Sequence, residues 1–191
     1  MKFLIKQASI VPFLFFVPVI IAGILTDDYN WIQQQASEIT VTDFEWAKNI
    51  INSGALLTGF SCILLSFGIT IQFKRFYLSS ILLTIFGLSM VSNGIFPMGT
   101  IMHGFYGIGL SVMLLPFIAS YELKNELLKK SFFSLSLLSG FVIFIYFWSM
   151  IVGLDPINYK GLTQRIASLF IFGWIGYFAF VLHTILPQKQ P

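Results

Sequence analysis

Charge is what this chain has least of. Of its 191 residues 10% are Asp, Glu, Lys or Arg, against 57% hydrophobic and 17% aromatic, and the mean hydropathy is +0.85. A soluble domain carries roughly 25% charged residues, so this chain lacks the charge to coat a water-facing surface. Cysteine is scarce too: Cys62 stands alone. That excludes an intrachain disulfide and any membrane thiol oxidoreductase chemistry that needs a cysteine pair. Strand-like alternation is missing as well. Barrel strands alternate apolar and polar over roughly ten residues, whereas the apolar segments here are apolar all round. Only helices and closed barrels satisfy their backbone groups in lipid, which leaves an all-α polytopic membrane protein.

Spanning a bilayer takes about 20 mainly apolar residues per helix. Six such segments occur: Gln7–Leu25, Ala47–Gln72, Tyr77–Phe96, Ile101–Tyr121, Ser131–Gly153 and Thr163–Leu186. They form a single membrane domain over 1–191 with one long external loop, 26–46, and no soluble domain, low-complexity tract or evident repeat. The first segment follows Lys2 and Lys6 as a signal peptide would. Its length, Pro12, Pro18 and the lack of a small-x-small cleavage site favour a retained helix. The basic residues orient the bundle. Lys2, Lys6, Lys74, Arg75, Lys124, Lys129, Lys130 and Lys189 fall on one side, and Lys48, Lys160 and Arg165 on the other, eight against three. The richer side is cytoplasmic, so both termini are expected inside. The net charge of +3 is thereby explained by orientation rather than by nucleic-acid binding.

Asp27, Asp28, Glu38, Asp43, Glu45 and Asp155 then face outward, and Glu122 and Glu126 inward. The external loop mixes Trp31, Ile32, Phe44 and Trp46 with polar residues, a composition suited to the membrane interface. Thr42 followed by Glu45 fits a capping box opening the second helix. Helices in lipid associate through small residues. Such stripes run through Asn52, Ala55, Gly59, Cys62 and Ser66; Ser80, Thr84, Gly87 and Gly94; His103, Gly107 and Ser111; and Arg165, Ser168, Gly176, Ala179 and His183.

A few polar residues need more explanation. Arg165 sits on the side where orientation calls for no cation, in the first turn of a helix whose N-terminal dipole opposes it. It needs a carboxylate, phosphate or carbonyl; a salt bridge to Glu38 or Asp155 and an anionic headgroup are the competing expectations. His103 follows the turn Phe96-Pro97-Met98-Gly99 and could act as a base or hydrogen-bonding group. His183 lies at the other end of its helix, so the two histidines cannot share a haem, and no cluster with metal-ligand spacing occurs. No cofactor is expected. Ser37, Glu38, Asn52, Asn93, His103 and Arg165 gather at the outer face as one candidate ligand-binding site.

At these residues the chain resembles bacterial six-helix membrane proteins of the domain-of-unknown-function family numbered nine-nine-eight, themselves distantly like the DRAM and Frag membrane proteins. The resemblance rests on Ser37-Glu38-Ile39, Asn52-Ser53-Gly54, Gly94-Ile95-Phe96-Pro97, His103 and Gly161-Leu162-Thr163-Gln164-Arg165. It covers nearly the whole chain and implies a six-helix fold in a bacterial cytoplasmic membrane, with no established activity. The family often carries an acid after the Phe-Pro pair, where this chain has Met98 and Gly99.

Four functions compete. The first is a non-enzymatic protein binding a membrane lipid headgroup or amphiphile. Arg165, with Lys160, would hold the anionic group, Glu38 would fix Arg165, and Asn52, Asn93 and His103 would hydrogen-bond. The second is a subunit or scaffold for a membrane protein partner, with homo-oligomers also compatible. A small hydrolase or transferase would use His103 as base, Glu38 as orienter or acid, Arg165 for anionic charge and Ser37 as nucleophile. Last is a transporter, with helices interrupted at Pro12, Pro18 or Pro116 but no mid-membrane acid or base of the kind coupled transport uses.

Overall fold

The computed structural model describes residues 2–73, 77–124 and 130–185. Lys74, Arg75, Glu126, Lys129 and Lys189, which enter the charge bias, and Leu186, where the sixth segment is expected to end, lie outside the described residues.

The described residues are mainly helical, and five of the helices are long and apolar enough to cross a membrane. These are α1 (Lys2–Ile24), α2 (Glu45–Gln72), α3 (Tyr77–Ile95), α5 (Lys130–Ile151) and α6 (Lys160–Ile185). A shorter apolar helix, α4 (Ile108–Leu123), lies between α3 and α5. Proline shapes two of them. In α1 a 3₁₀ turn at Gln7–Ile10 precedes Pro12, and the Val11 N–H bonds back to Ala8. The ring of Pro12 would clash with the Ala8 carbonyl in a regular helix, so the tighter turn relieves it. Pro18 stays inside the helix.

The fourth segment departs from expectation. Its spacing predicts a helix from Ile101, but the chain from Ile101 to Gly107 is a series of turns. Ile108–Leu114 is 3₁₀, and α-helix begins at Leu115 with Pro116 in its first turn. Four consecutive residues, Gly104, Phe105, Tyr106 and Gly107, have φ of 76°, 52°, 56° and 76°. Left-handed φ costs a bulky residue roughly 1–2 kcal/mol, and the end of α3 holds the turn in place. Ser92 Oγ donates to the Met102 carbonyl at 2.6 Å, and the Gly104 N–H donates to Asn93 Oδ1. Glycines at 104, 107 and 109 weaken the helical alternative. The stripe of His103, Gly107 and Ser111 is therefore not a helix face.

Downstream, Glu122 reaches the opposite end of α3. Its carboxylate accepts the Leu78 and Ser79 N–H groups at 3.1 and 3.2 Å and the Ser79 hydroxyl at 2.5 Å. The stretch from Met102 to Glu122 thus runs antiparallel to α3 along its whole length.

Small residues set the tightest approach. A Cβ on Gly59 would lie 2.6 Å from the Gly87 carbonyl oxygen, one on Gly87 2.8 Å from that of Gly59, and one on Gly94 2.7 Å from that of Asn52. Ser66 Oγ bonds Thr84 Oγ1 at 2.8 Å and the Ser80 carbonyl at 2.7 Å across the same seam. Gly176 of α6 receives the Pro12 kink, and Gly54 of α2 receives Pro18. With backbones this close, dispersion and interhelical hydrogen bonds can hold helices together in lipid.

Two apolar cores result. The larger runs from the end carrying Lys2, Glu122 and Ile185, the terminal end, where it includes Ile5, Leu65, Phe132, Ile175 and Phe178, up to Phe86, Ile171 and Phe172 farther along the bundle. The smaller, with Val19, Ala22, Tyr29, Ile39, Ala47 and Ile51, lies beneath the long loop at the loop end.

Candidate functional site

Residues 25–44 form a structured lid. Asn30 Oδ1 accepts the Ile32 and Gln33 N–H groups at 3.0 and 3.1 Å, which starts the turn. Ala36–Val41 is a 3₁₀ helix opened by a reciprocal capping box between Gln35 and Glu38, and Glu38 Oε1 accepts the Gln35 N–H at 2.8 Å. The capping box expected at Thr42 and Glu45 does not form: Thr42 donates to the Ile39 carbonyl at 2.9 Å, and α2 opens without a side-chain cap. Gln164 Oε1 accepts the Ala36 N–H at 2.7 Å and Thr40 Oγ1 accepts the Met98 N–H at 2.9 Å, tying the lid to α6 and to the turn after α3.

Arg165 is the lid's principal anchor. Nη1 donates to the carbonyls of Trp31 at 2.7 Å, Gln34 at 3.0 Å and Gly161 at 2.7 Å, and Nη2 donates to the Tyr29 hydroxyl at 2.6 Å. Its guanidinium carbon also lies 5.0 Å from the Trp31 ring centre and 5.5 Å from that of Tyr29, within cation–π range. A Cβ on Gly161 would collide with this cluster, and one on Gly23 would lie 2.5 Å from Cζ2 of Trp31. Burial pushes the Tyr29 hydroxyl pKa up, and the adjacent Arg165 charge partly opposes that rise.

The expected salt bridge of Arg165 is therefore corrected. Glu38 caps its own turn, and Asp155 Oδ1 accepts the Thr163 hydroxyl at 2.8 Å. Among the described residues neither acid pairs with Arg165, and the ion pair present is Lys48–Glu45 at 2.8 Å. A planar guanidinium facing converging loop carbonyls finds its acceptors without a carboxylate. Lys160 takes no part in this cluster.

Beneath the lid is a cavity of about 390 Å³. Phe15, Phe86, Phe147, Ile171 and Phe172 supply apolar walls, with Phe15 and Phe172 stacked at 3.9 Å. Ser37, Asn52, Asn93 and His103 line it, as do Gln35, Thr40, Ser89, Tyr146, Gln164 and Ser168. Glu38 and Arg165 do not, and no Asp, Glu, Lys or Arg among the described residues does. Met98, where the family resemblance sets an acid, lines the cavity as a thioether and accepts the Ser37 hydroxyl at 3.4 Å.

His103 has a defined tautomer. Nδ1 lies 2.9 Å from the Phe96 carbonyl, which can only accept, so Nδ1 carries the proton. The neutral ring then offers Nε2 as an acceptor. No hydrogen bond or ion pair joins His103 to Glu38 among the described residues; Glu38 is engaged by the Gln35 N–H. Of the cavity residues outside the expected site, Gln164 stands in the sequence only as part of the family motif and Ser168 only in a packing stripe, and Ser89 carries no signal, because a single uncharged polar residue on a helix reads as packing. Gln164 did carry a signal, standing beside Arg165 in the first turn of α6.

Apolar helices of membrane-spanning length around a polar-rimmed cavity are the marks of a multi-pass membrane protein. Residues 9–181 match the family model described as "Protein of unknown function (DUF998)", and the chain belongs to that family. No curated protein and no solved structure matches it.

Proposed function

We propose that this protein is a six-crossing membrane protein, with both termini in the cytoplasm, that holds an amphiphile in the cavity under its lid. The observation that carries the reading is the cavity itself: aromatic walls sunk among apolar helices, with a polar rim at the loop end. A volume of about 390 Å³ falls at the lower end of the roughly 300–1,000 Å³ typical of ligand pockets. It suits one chain with a small head rather than a whole two-chain lipid.

The sixth crossing is supported by the course of Met102 to Glu122 along all of α3. Seven 3₁₀ residues and nine α residues reach about 27 Å at their respective rises, against a hydrocarbon core of about 30 Å. Lys2–Lys6 packs on α6, and six crossings return the chain to the side on which it starts. The lysine and arginine bias makes that side cytoplasmic. Arg165 anchors the lid in this reading and leaves the ligand to uncharged groups.

The test is extraction and mass spectrometry of amphiphiles that copurify with the protein in a mild detergent. Wild type should carry one molecule per chain. Ser168→Phe, which places a ring in the cavity, should lose it, while Leu169→Phe on the exposed face of α6 should retain it. Equal retention by both variants would refute the cavity as the site.

A further inference from the structure

The cavity's polar atoms specify more than a place for a chain. Ser89 and Ser168 line it at 4% and 5% exposure, and neither hydroxyl has a hydrogen-bond partner among the described residues. The Asn52 amide is likewise unengaged at the wall. Gln164 spends its oxygen on the Ala36 N–H, and its NH₂ has no partner among the described residues. His103 keeps Nε2 as an acceptor, because Nδ1 is committed to the Phe96 carbonyl. Amide donors, hydroxyls that give or take, and an imidazole acceptor therefore share one concave surface to which no Asp, Glu, Lys or Arg among the described residues contributes.

From this set we infer that the cavity takes an amphiphile whose head is uncharged and hydroxyl-bearing, of the monoacylglycerol or long-chain alcohol class, and rejects carboxylate and phosphate heads. The inference rests on the amphiphile reading above and adds the head-group class to it. A hydroxyl donates one hydrogen bond and accepts others, so it can donate to His103 Nε2 while accepting from the Asn52 and Gln164 amides. A carboxylate or phosphate can only accept. With the imidazole neutral, such a head would face the lone pair of Nε2 and bring a charge into a site to which no Lys or Arg among the described residues contributes, since the guanidinium of Arg165 is turned to the Trp31, Gln34 and Gly161 carbonyls. Burying an unpaired charge is far more costly than burying a paired hydroxyl. An ammonium head meets the converse problem, with no carboxylate among the described residues lining the cavity.

The experiment is a binding competition on the full chain in neutral detergent, read by native mass spectrometry with three probes that share a twelve-carbon chain: monolaurin, laurate and dodecyl phosphate. Monolaurin should bind at least tenfold more tightly than either anion. Asn52→Leu and Gln164→Leu should each shrink that preference by threefold or more. Equal or tighter binding of an anion, abolished by Ser168→Phe, would overturn the head-group assignment while leaving the amphiphile site standing. No saturable binding of any probe, or binding that survives Ser168→Phe, would overturn both. A parallel measurement on the unmodified chain does not depend on any variant folding. A monoacylglycerol with a photoreactive diazirine in its chain should label the segments containing Phe147 and Ile171, and monolaurin should suppress that label where laurate does not. Suppression by laurate at equal concentration would again overturn the head-group assignment.

Discussion

The two ends of this bundle are built from the same helices and behave oppositely. At the terminal end, Phe132, Trp174 and Phe178 form an aromatic cluster, with Trp174 and Phe178 stacked at 4.9 Å and the Trp174 indole donating to Ser136 at 2.9 Å. Ile5, Leu65 and Ile69 fill the remaining space, and all three are fully buried. At the loop end the helices surround a cavity. There the fourth segment opens in a left-handed turn and a 3₁₀ stretch, and the long loop covers the opening instead of a packed helix. Packing density near that of an organic crystal is the norm for protein interiors, so the hollow end is the exception that needs a cause. The cause is local: Asn93 and Ser92 capture the backbone of residues 102–104 that a regular helix would otherwise have used.

Truncating an aromatic ring at each end puts the contrast to its severest test. Phe178→Ala opens a void in a close-packed cluster and should cost about 3–5 kcal/mol. Phe147→Ala enlarges a cavity that already exists and should cost less than half as much. Denaturant unfolding in mixed micelles measures both, and equal losses would mean that the two ends are packed alike.

Next in size is Arg165→Met. It strips donors from the Trp31, Gln34 and Gly161 carbonyls and the Tyr29 hydroxyl, and under-satisfied buried acceptors cost about 1–3 kcal/mol each. Water replaces some of these donors at the loop end, so a loss of about 2–3 kcal/mol is expected. Proteinase K should then cut within residues 26–44 well before any helix. Arg165→Lys should recover little, because an ammonium cannot reproduce the planar fork or its contact with two rings. Gly87→Ala comes after that. Its Cβ would stand 2.7 Å from Ile63 Cγ1 and 2.8 Å from the Gly59 carbonyl oxygen, and prying α2 from α3 should cost about 1–3 kcal/mol in the same unfolding assay, with cavity binding altered less than stability.

These effects also mark what the sequence carried. The stripes through Gly59, Ser66, Gly87 and Gly94 meet in one seam because small residues at helical spacing have few other uses in lipid. Ser37, Asn52, Asn93 and His103 could be gathered from topology alone, since the loop ends of adjacent helices must be neighbours. Arg165 was legible as a residue in need of partners, but the identity of those partners was not. Backbone carbonyls are the same in every loop, and their convergence depends on the turn that Asn30 and Gln35 create. Glu38 misled for a related reason: a carboxylate near a cation suggests an ion pair, while its geometry served the N–H of Gln35. The fourth segment was misread because hydropathy does not register left-handed φ, although three glycines within residues 104–109 were the available warning.

The smallest effect concerns Tyr29, which links lid and anchor. Its hydroxyl accepts from Arg165 and donates to the Gln34 carbonyl at 3.2 Å, and burial raises its pKa above the ordinary 10.0. The folded chain therefore holds this proton to higher pH than the unfolded chain does. Between the unfolded and folded values the unfolded state binds fewer protons, so stability falls as pH rises there. The contribution should be complete below about pH 10, decline above it and level off once the folded group also ionises. Because the Arg165 charge favours the phenolate and opposes the burial effect, the decline should be shallow. Thermal unfolding from pH 8 to pH 11 in wild type and Tyr29→Phe isolates it, since lysine titration is common to both chains. The wild type should lose stability more steeply above pH 10 than the variant. Parallel curves would mean that the lid leaves Tyr29 open to water, and the loop end would then be hollow without being closed.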